Sequence, residues 1–345
     1  MPNNYMKLRY LVLYGGPIGD ALVTIHIGRT LAANVPGAVL EVISVRENTF
    51  VRELCRDLPF IQYREMSKKS LGSWLALPML MLRRHASIVY EPIAYPISLW
   101  WRIILWCARR RAGSIEVRYQ THGYERPVPQ GVLQRVYDCA QVNLFDTPET
   151  ILNAWGIEVR TLPHPAMPPQ PSPEGKPYLV FHFFAGALRR TIPVDHARAI
   201  LMAARAAYPS HAFILTCAQN ERERAEVMAE GISDTRIESD HSARELIALL
   251  CGADLTVGTT SGIILTAACL QRPIVALHCM SHGKAFMPDF SPNTTVLAAL
   301  NECRCRPGDG SKCPMMTDDG PVYRCLYYIP TEEVLGAMKK MLPGI

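Results

Sequence analysis

Between Pro163 and Pro177 the chain reads PHPAMPPQPSPEGKP, seven prolines in one short stretch. Such a segment can be neither a helix interior nor a central strand, and reads as a stiff, extended connector. On both sides of it runs the same alternation of apolar strand, glycine-bearing turn and apolar helix, so the constraint is two successive α/β domains. A length of 345 residues fits that division, being more than a single domain usually holds. The expected boundaries are 1–162, a linker at 163–177, a second domain at 178–330 and a closing helix at 331–345.

In the first half, Leu8 to Tyr14 is an apolar strand that ends in the loop Gly15-Gly16-Pro17-Ile18-Gly19-Asp20. Ala21 to Ala33 reads as a helix stopped by Pro36-Gly37, and Val39 to Val45 as the next strand. This βαβ opening lacks the G-x-G-x-x-G spacing of a dinucleotide fold, which argues against a nicotinamide enzyme. Asp20 follows the turn at the carboxyl end of the strand, where open α/β sheets place their ligands. It either caps the helix or serves as a general base. Further strands and helices follow, among them Ser87 to Tyr90, Gln134 to Leu144 and Pro148 to Trp155. A cluster of Trp100, Trp101 and Trp106 reads as core by its helical spacing, with a contact surface as the other reading.

After the linker, Tyr178 to Phe183 is a strand and Phe184 to Arg190 a loop. A helix from Pro193 to Tyr208, a strand from Ala212 to Thr216, a charged helix from Asn220 to Glu230 and a helix from Ser242 to Leu250 come next. Asp254 to Leu277, DLTVGTTSGIILTAACLQRPIVAL, is then a β-turn-α-β unit. Its turn at 258–262 aims unpaired N–H groups and a positive dipole end at whatever lies above it, which suits a phosphate or diphosphate. An ordinary capped βα loop is the plainer reading. Two such domains imply parallel sheets facing a central cleft.

Composition narrows the function classes. With 49% hydrophobic and 19% charged residues the chain can bury large cores. No stretch is long and apolar enough to span a bilayer; Ile97 to Ala108 is short and carries Arg102. The N-terminus lacks a secretory pattern, so a cytoplasmic protein with mostly reduced cysteines is expected. Cys55, Cys107, Cys139, Cys217, Cys251, Cys269 and Cys279 read as core. Residues 1–150 hold 18 basic against 12 acidic side chains, although the net charge is only +5. The surplus, with Arg109 and Arg110 and the tryptophans near it, fits an anionic membrane surface or an anionic substrate. Nothing points to nucleic acid. Cys303, Cys305, Cys313 and Cys325 could fill a structural zinc shell, but lack paired C-x2-C knuckles, so thiols without metal are the other reading. His182, His278 and His282 read as polar contacts at strand ends, and Ser261 lacks the G-x-S-x-G context of a hydrolase nucleophile.

Taken in order, these residues resemble glycosyltransferase family 9, the ADP-heptose:lipopolysaccharide heptosyltransferases. The resemblance rests on Gly19-Asp20 with Thr24; Pro36-Gly37-Ala38; Gly186-Ala187 followed by Arg190 and Pro193; Thr216 with Glu221; Glu245-Leu246 before Ala253-Asp254; and Gly258 to Gly262 before Ala267-Ala268. It implies a GT-B architecture of two Rossmann-like domains and an inverting transfer that needs no metal or other cofactor. Asp20 would be the base. Gly186, Arg190, Glu221, Thr259, Thr260, Ser261 and Gly262 would bind the nucleotide-sugar donor, plausibly ADP-heptose. Gly19, Arg109 and Arg110 would meet an anionic saccharide or glycolipid acceptor at the inner membrane face.

The chain departs from the family where Thr260 replaces the usual Asp, Ser261 a Thr, Leu265 a His, Arg190 a Lys and Ile192 a Trp. Arginine keeps the charge with altered geometry. Loss of Asp and His together leaves two rivals, a changed donor sugar or a sugar-nucleotide-binding protein without turnover.

Overall fold

The computed structural model describes residues 9–14, 18–44, 48–65, 79, 86–90, 103, 106–107, 114–117, 143–163, 176–279, 286–299, 314–318 and 320–342. The chain divides into two units, 1–165 and 166–345. Arg109, Arg110, His282, Cys303, Cys305, Cys313, Trp100, Trp101 and most of the proline-rich stretch lie outside the described residues.

The first unit runs β1 (Arg9–Tyr14), α1 (Ile18–Asn34), β2 (Val39–Ser44), α2 (Thr49–Arg56), β3 (Ile61–Glu65), β4 (Ala86–Tyr90), β5 (Ser114–Val117) and α3 (Pro148–Ala154). Its sheet has the order β3-β2-β1-β4-β5, and every pairing is parallel. The chain thus winds outward from β1 in both directions, leaving a switch point between β1 and β4. Helix α1 is buried over nearly its whole length, which explains its run of small and apolar residues. Gly28 lets it approach the sheet: an added Cβ there would lie 2.6 Å from Ile61 Cδ1. Thr24 and Thr30 satisfy their buried hydroxyls by donating to the carbonyls of Asp20 and His26. At its far end Asn34 Oδ1 accepts from the backbone N–H groups of Arg160 and Thr161 at 2.7 and 2.9 Å.

The second unit runs β6 (Tyr178–His182), α4 (Val194–Ala207), β7 (Ala212–Cys217), α5 (Arg222–Ala229), β8 (Thr235–Ser239), α6 (Ala243–Gly252), β9 (Leu255–Thr259), α7 (Gly262–Cys269), β10 (Ile274–Leu277), β11 (Thr294–Leu297), β12 (Pro314–Thr317), β13 (Gly320–Tyr323), α8 (Arg324–Tyr327) and α9 (Thr331–Met341). The main sheet is parallel, in the order β11-β10-β9-β6-β7-β8, with its switch point between β6 and β9. β6, β9 and β10 are buried at every residue, as strands covered on both faces must be. Phe181, Phe213, Leu215, Val257 and Leu277 form the centre of the core. Val334, Ala337 and Met338 of α9 belong to that same core, so the closing helix is packed into the second unit.

Several elements differ from the sequence reading. α1 begins at Ile18, which puts Asp20 inside its first turn rather than in the loop before it. Gly258 and Thr259 belong to β9 and Gly262 opens α7, so only Thr260 and Ser261 make the turn. The charged helix begins as a separate 3-10 turn at Gln219–Glu221. Trp106 is half exposed rather than core. The antiparallel hairpin of β12 and β13 was not expected from the sequence. Among the described residues no helix is long and apolar enough to cross a membrane.

Candidate functional site

In doubly wound sheets, loops at the carboxyl ends of the strands flanking the switch point diverge and leave room for a ligand. In the second unit those loops follow β6 and β9. The one after β6 passes through Gly186 to a 3-10 turn at Leu188–Arg190, closed by Arg190 N–H donating to Ala187 O at 2.9 Å. Ile192 N–H then donates to Phe183 O at 2.9 Å, so the loop folds back on its own strand. The loop after β9 is the turn Thr260-Ser261. The two are joined where Thr259 Oγ1 donates to Arg190 O at 2.8 Å.

The strands beneath are held close by Gly258. A Cβ at this position would stand 2.0 Å from His182 O, a distance no side chain tolerates. His182 is buried at the end of β6, with Nδ1 3.0 Å from both the hydroxyl and the carbonyl of Thr216. Burial pushes its pKa down to about 4, so the ring is neutral near pH 7.

Arg190 is the cation of this arrangement. It forms no ion pair with a carboxylate among the described residues, and its buried Nε has no hydrogen-bond partner there. Desolvation holds the guanidinium below its ordinary pKa, partly offset by electrostatic interactions with Cys279 and Tyr323. A largely buried cation without a carboxylate partner among the described residues is costly, a cost that an anionic ligand would offset. Ser261 stands at the N-cap of α7 with extended backbone, yet its side chain makes no capping bond and its buried Oγ has no partner among the described residues. The helix start therefore keeps its first-turn N–H groups and a hydroxyl available.

Thr260, by contrast, is committed inward. Its Oγ1 lies 3.0 Å from Nδ1 of buried His278, and its N–H donates to Leu277 O. Glu221 sits one strand over, after β7. Its Oε2 accepts from Ala218 N–H at 2.9 Å, while burial raises its pKa. Gly186 is exposed, and nothing lies within 4 Å of a Cβ added to it, so protein crowding does not require glycine there.

In the first unit, Gly19 and Asp20 are buried in the first turn of α1, at the carboxyl end of β1. A carboxylate is favoured there by the helix dipole. Sequence reasoning passed over Tyr323 and the contact between Cys279 and Cys325, because the elements that carry them are far apart in the chain. Among the described residues, no group of three or more His, Cys, Asp or Glu gathers as a metal site.

The fold is that of GT-B glycosyltransferases. Heptosyltransferase II of Escherichia coli, an ADP-heptose lipopolysaccharide enzyme, superposes with a TM-score of 0.67 at 19% identity, over 97% of this chain and 98% of that one. A family 9 glycosyltransferase of Veillonella parvula gives 0.69 at 14% identity, over 98% of both chains. E. coli heptosyltransferase WaaC, solved with ADP, gives 0.62 at 15% identity, over 96% of this chain and 99% of that one. The family model described as glycosyltransferase family 9 (heptosyltransferase) matches residues 123–315, more than half of the sequence, and the chain belongs to that family. No curated protein sequence matches it.

Proposed function

We propose that the protein transfers a sugar from an ADP-sugar to a hydroxyl of an anionic saccharide or glycolipid, inverting the anomeric centre without a catalytic metal. The observation that carries this reading is Arg190, a largely buried guanidinium without a carboxylate partner among the described residues, whose backbone is tied to the end of β9 just before α7. When the glycosidic bond to the diphosphate breaks, negative charge grows on the leaving phosphate. Arg190, the first-turn N–H groups of α7 and the Ser261 hydroxyl then supply fixed positive and hydrogen-bonding groups. Gly186 leaves the loop open to the ligand, Thr259 fixes Arg190 from beneath, and Gly262 lets the helix start approach the phosphate. Glu221 holds the ribose with the carboxylate oxygen that does not cap its own turn.

Asp20 of the first unit takes the proton from the acceptor hydroxyl as that oxygen attacks the anomeric carbon. The acceptor is thus assigned to the first unit, with Gly19 beside the base and Arg109 and Arg110 reading its negative charge, and the donor to the second unit. WaaC was solved with ADP, which makes ADP the first nucleotide to test. Membrane association at the inner face is a consequence of a lipid-linked acceptor.

Thr260 favours a second reading of the donor. Its hydroxyl faces His278 rather than presenting a carboxylate to a sugar, which fits a donor other than heptose. Calorimetry with ADP, UDP, GDP, CMP and ADP-heptose distinguishes the two, followed by product analysis with the sugar nucleotide that binds. ADP-heptose binding more tightly than ADP, weakened tenfold or more by Arg190→Ala and partly restored by Arg190→Lys, is the expected result. Asp20→Asn should abolish turnover and leave nucleotide binding intact. Binding of another nucleotide changes the donor, and binding of none removes the transferase reading.

A further inference from the structure

We infer that the β12–β13 hairpin is the brace that positions Arg190, and that Gly320 and Leu188 are the positioning residues through which it acts. The inference rests on the donor reading above for its ligand. β13 packs along the 3-10 turn Leu188–Arg190, although the two are far apart in the sequence. At Gly320 the fit is close. A Cβ added there would lie 3.2 Å from Leu188 Cδ2, and the backbone φ of +104° disfavours any residue with a side chain. One end of the hairpin is closed by Thr317 Oγ1, which donates to Gly320 O at 2.8 Å. The other end is rooted by Tyr323, which belongs to the core of the second unit.

The turn needs such support. Its own hydrogen bonds are few: Arg190 N–H donates to Ala187 O, and Thr191 N–H to Leu188 O. A single 3-10 turn of this kind has little stability of its own and takes its shape from its neighbours. Here Thr259 holds Arg190 by its carbonyl, and Gly320 meets Leu188 two residues earlier. The Arg190 side chain is near the same strand, since the Tyr323 phenol interacts electrostatically with its guanidinium. Arg190 Nε makes no hydrogen bond among the described residues, so the direction of the cation depends on where the turn places its backbone. A shift of the turn by about 1 Å would misdirect it, and misplacement on that scale costs as much as about a hundredfold in rate.

The test uses the full-length protein with Leu188→Ala, which removes the contact, and Gly320→Ala, which crowds it. Met316→Ala, at an exposed side chain on β12, is the control. Hydrogen exchange without nucleotide should quicken about tenfold at 188–192 in both variants, but not in the control, with β6 unchanged. ADP affinity by calorimetry should fall about tenfold in both. In an Arg190→Ala background the same substitutions should lower ADP affinity no further, whereas a general loosening of the fold would lower it again. Leu188 is half exposed, so Leu188→Ala carries the test even where the strained Gly320→Ala folds poorly. Wild-type exchange at 188–192 in Leu188→Ala overturns the inference, and so does a loss of ADP affinity that persists in the Arg190→Ala background. If the wild-type chain binds no ADP, the donor reading falls and the exchange rates alone decide the brace.

Discussion

His182 and Gly258 show how single residues fix the ground on which the loops stand. The neutral His182 ring, with a pKa about 4 against 6.5 for an unconstrained imidazole, makes the native state bind fewer protons than the unfolded one between those values. Stability gained this way is present above pH 6.5 and is lost as pH falls towards about 4, by roughly 3 kcal/mol over the window. Urea midpoints at pH 7.5 and pH 5 should show that decline, and His182→Asn, which cannot titrate, should flatten it. An unchanged slope in the variant would mean that the buried imidazole is not its source. Gly258→Ala is expected to cost about 3 kcal/mol or more, since its Cβ would meet backbone that cannot turn away. Gly186→Ala should stay within about 0.5 kcal/mol, as an exposed site without neighbours does. Equal thermal shifts in the two glycine variants would contradict the close approach of β6 and β9.

At the level of elements, two serines at helix starts behave differently. Ser242 closes a capping box at α6: its Oγ accepts from Glu245 N–H at 3.2 Å, and Glu245 Oε2 accepts from Ser242 N–H at 2.9 Å. Ser261 makes no such bond at α7. Ser242→Ala should therefore cost about 1 kcal/mol in chemical denaturation, while Ser261→Ala should cost little and instead weaken nucleotide binding. Loss of stability in Ser261→Ala without loss of affinity would make Ser261 an ordinary cap. The sequence patterns made β6, β9 and α7 readable because strands buried on both faces are continuous apolar runs and the helix is uniformly small and apolar. They misplaced the turn because glycine reads as a turn residue, whereas Gly258 is there for close packing between neighbouring strands. Asp20 stood out in the sequence from its place after β1, but its position inside the first helical turn was not legible, since Ile18-Gly19 has no start signal. Tyr323 and the Cys279–Cys325 contact were illegible because sequence spacing says nothing about which loops a parallel sheet gathers at one end.

For the whole molecule, both sheets share one winding scheme, and each places its switch point beneath residues that the proposed reaction uses, Asp20 in the first unit and Arg190 with Ser261 in the second. The proposed division of labour gives the nucleotide to the second unit alone. A ligand that binds only the native state stabilises what it touches, by about 2.7 kcal/mol at a hundredfold excess over its Kd. Opening of the loop at 183–193 and of the turn and helix start at 259–265 should become rarer by that amount, because both must be closed for Arg190 and α7 to hold the diphosphate. Hydrogen exchange followed by mass spectrometry, with and without saturating ADP, should then show slowed exchange in those two segments and little change in α1. Slowing confined to the first unit would reverse the assignment and move the nucleotide to the β1–β4 switch point. Slowing at 183–193 and 259–265 that disappears in Arg190→Ala would tie the protection to the guanidinium, since the backbone hydrogen bonds of both loops would remain in that variant.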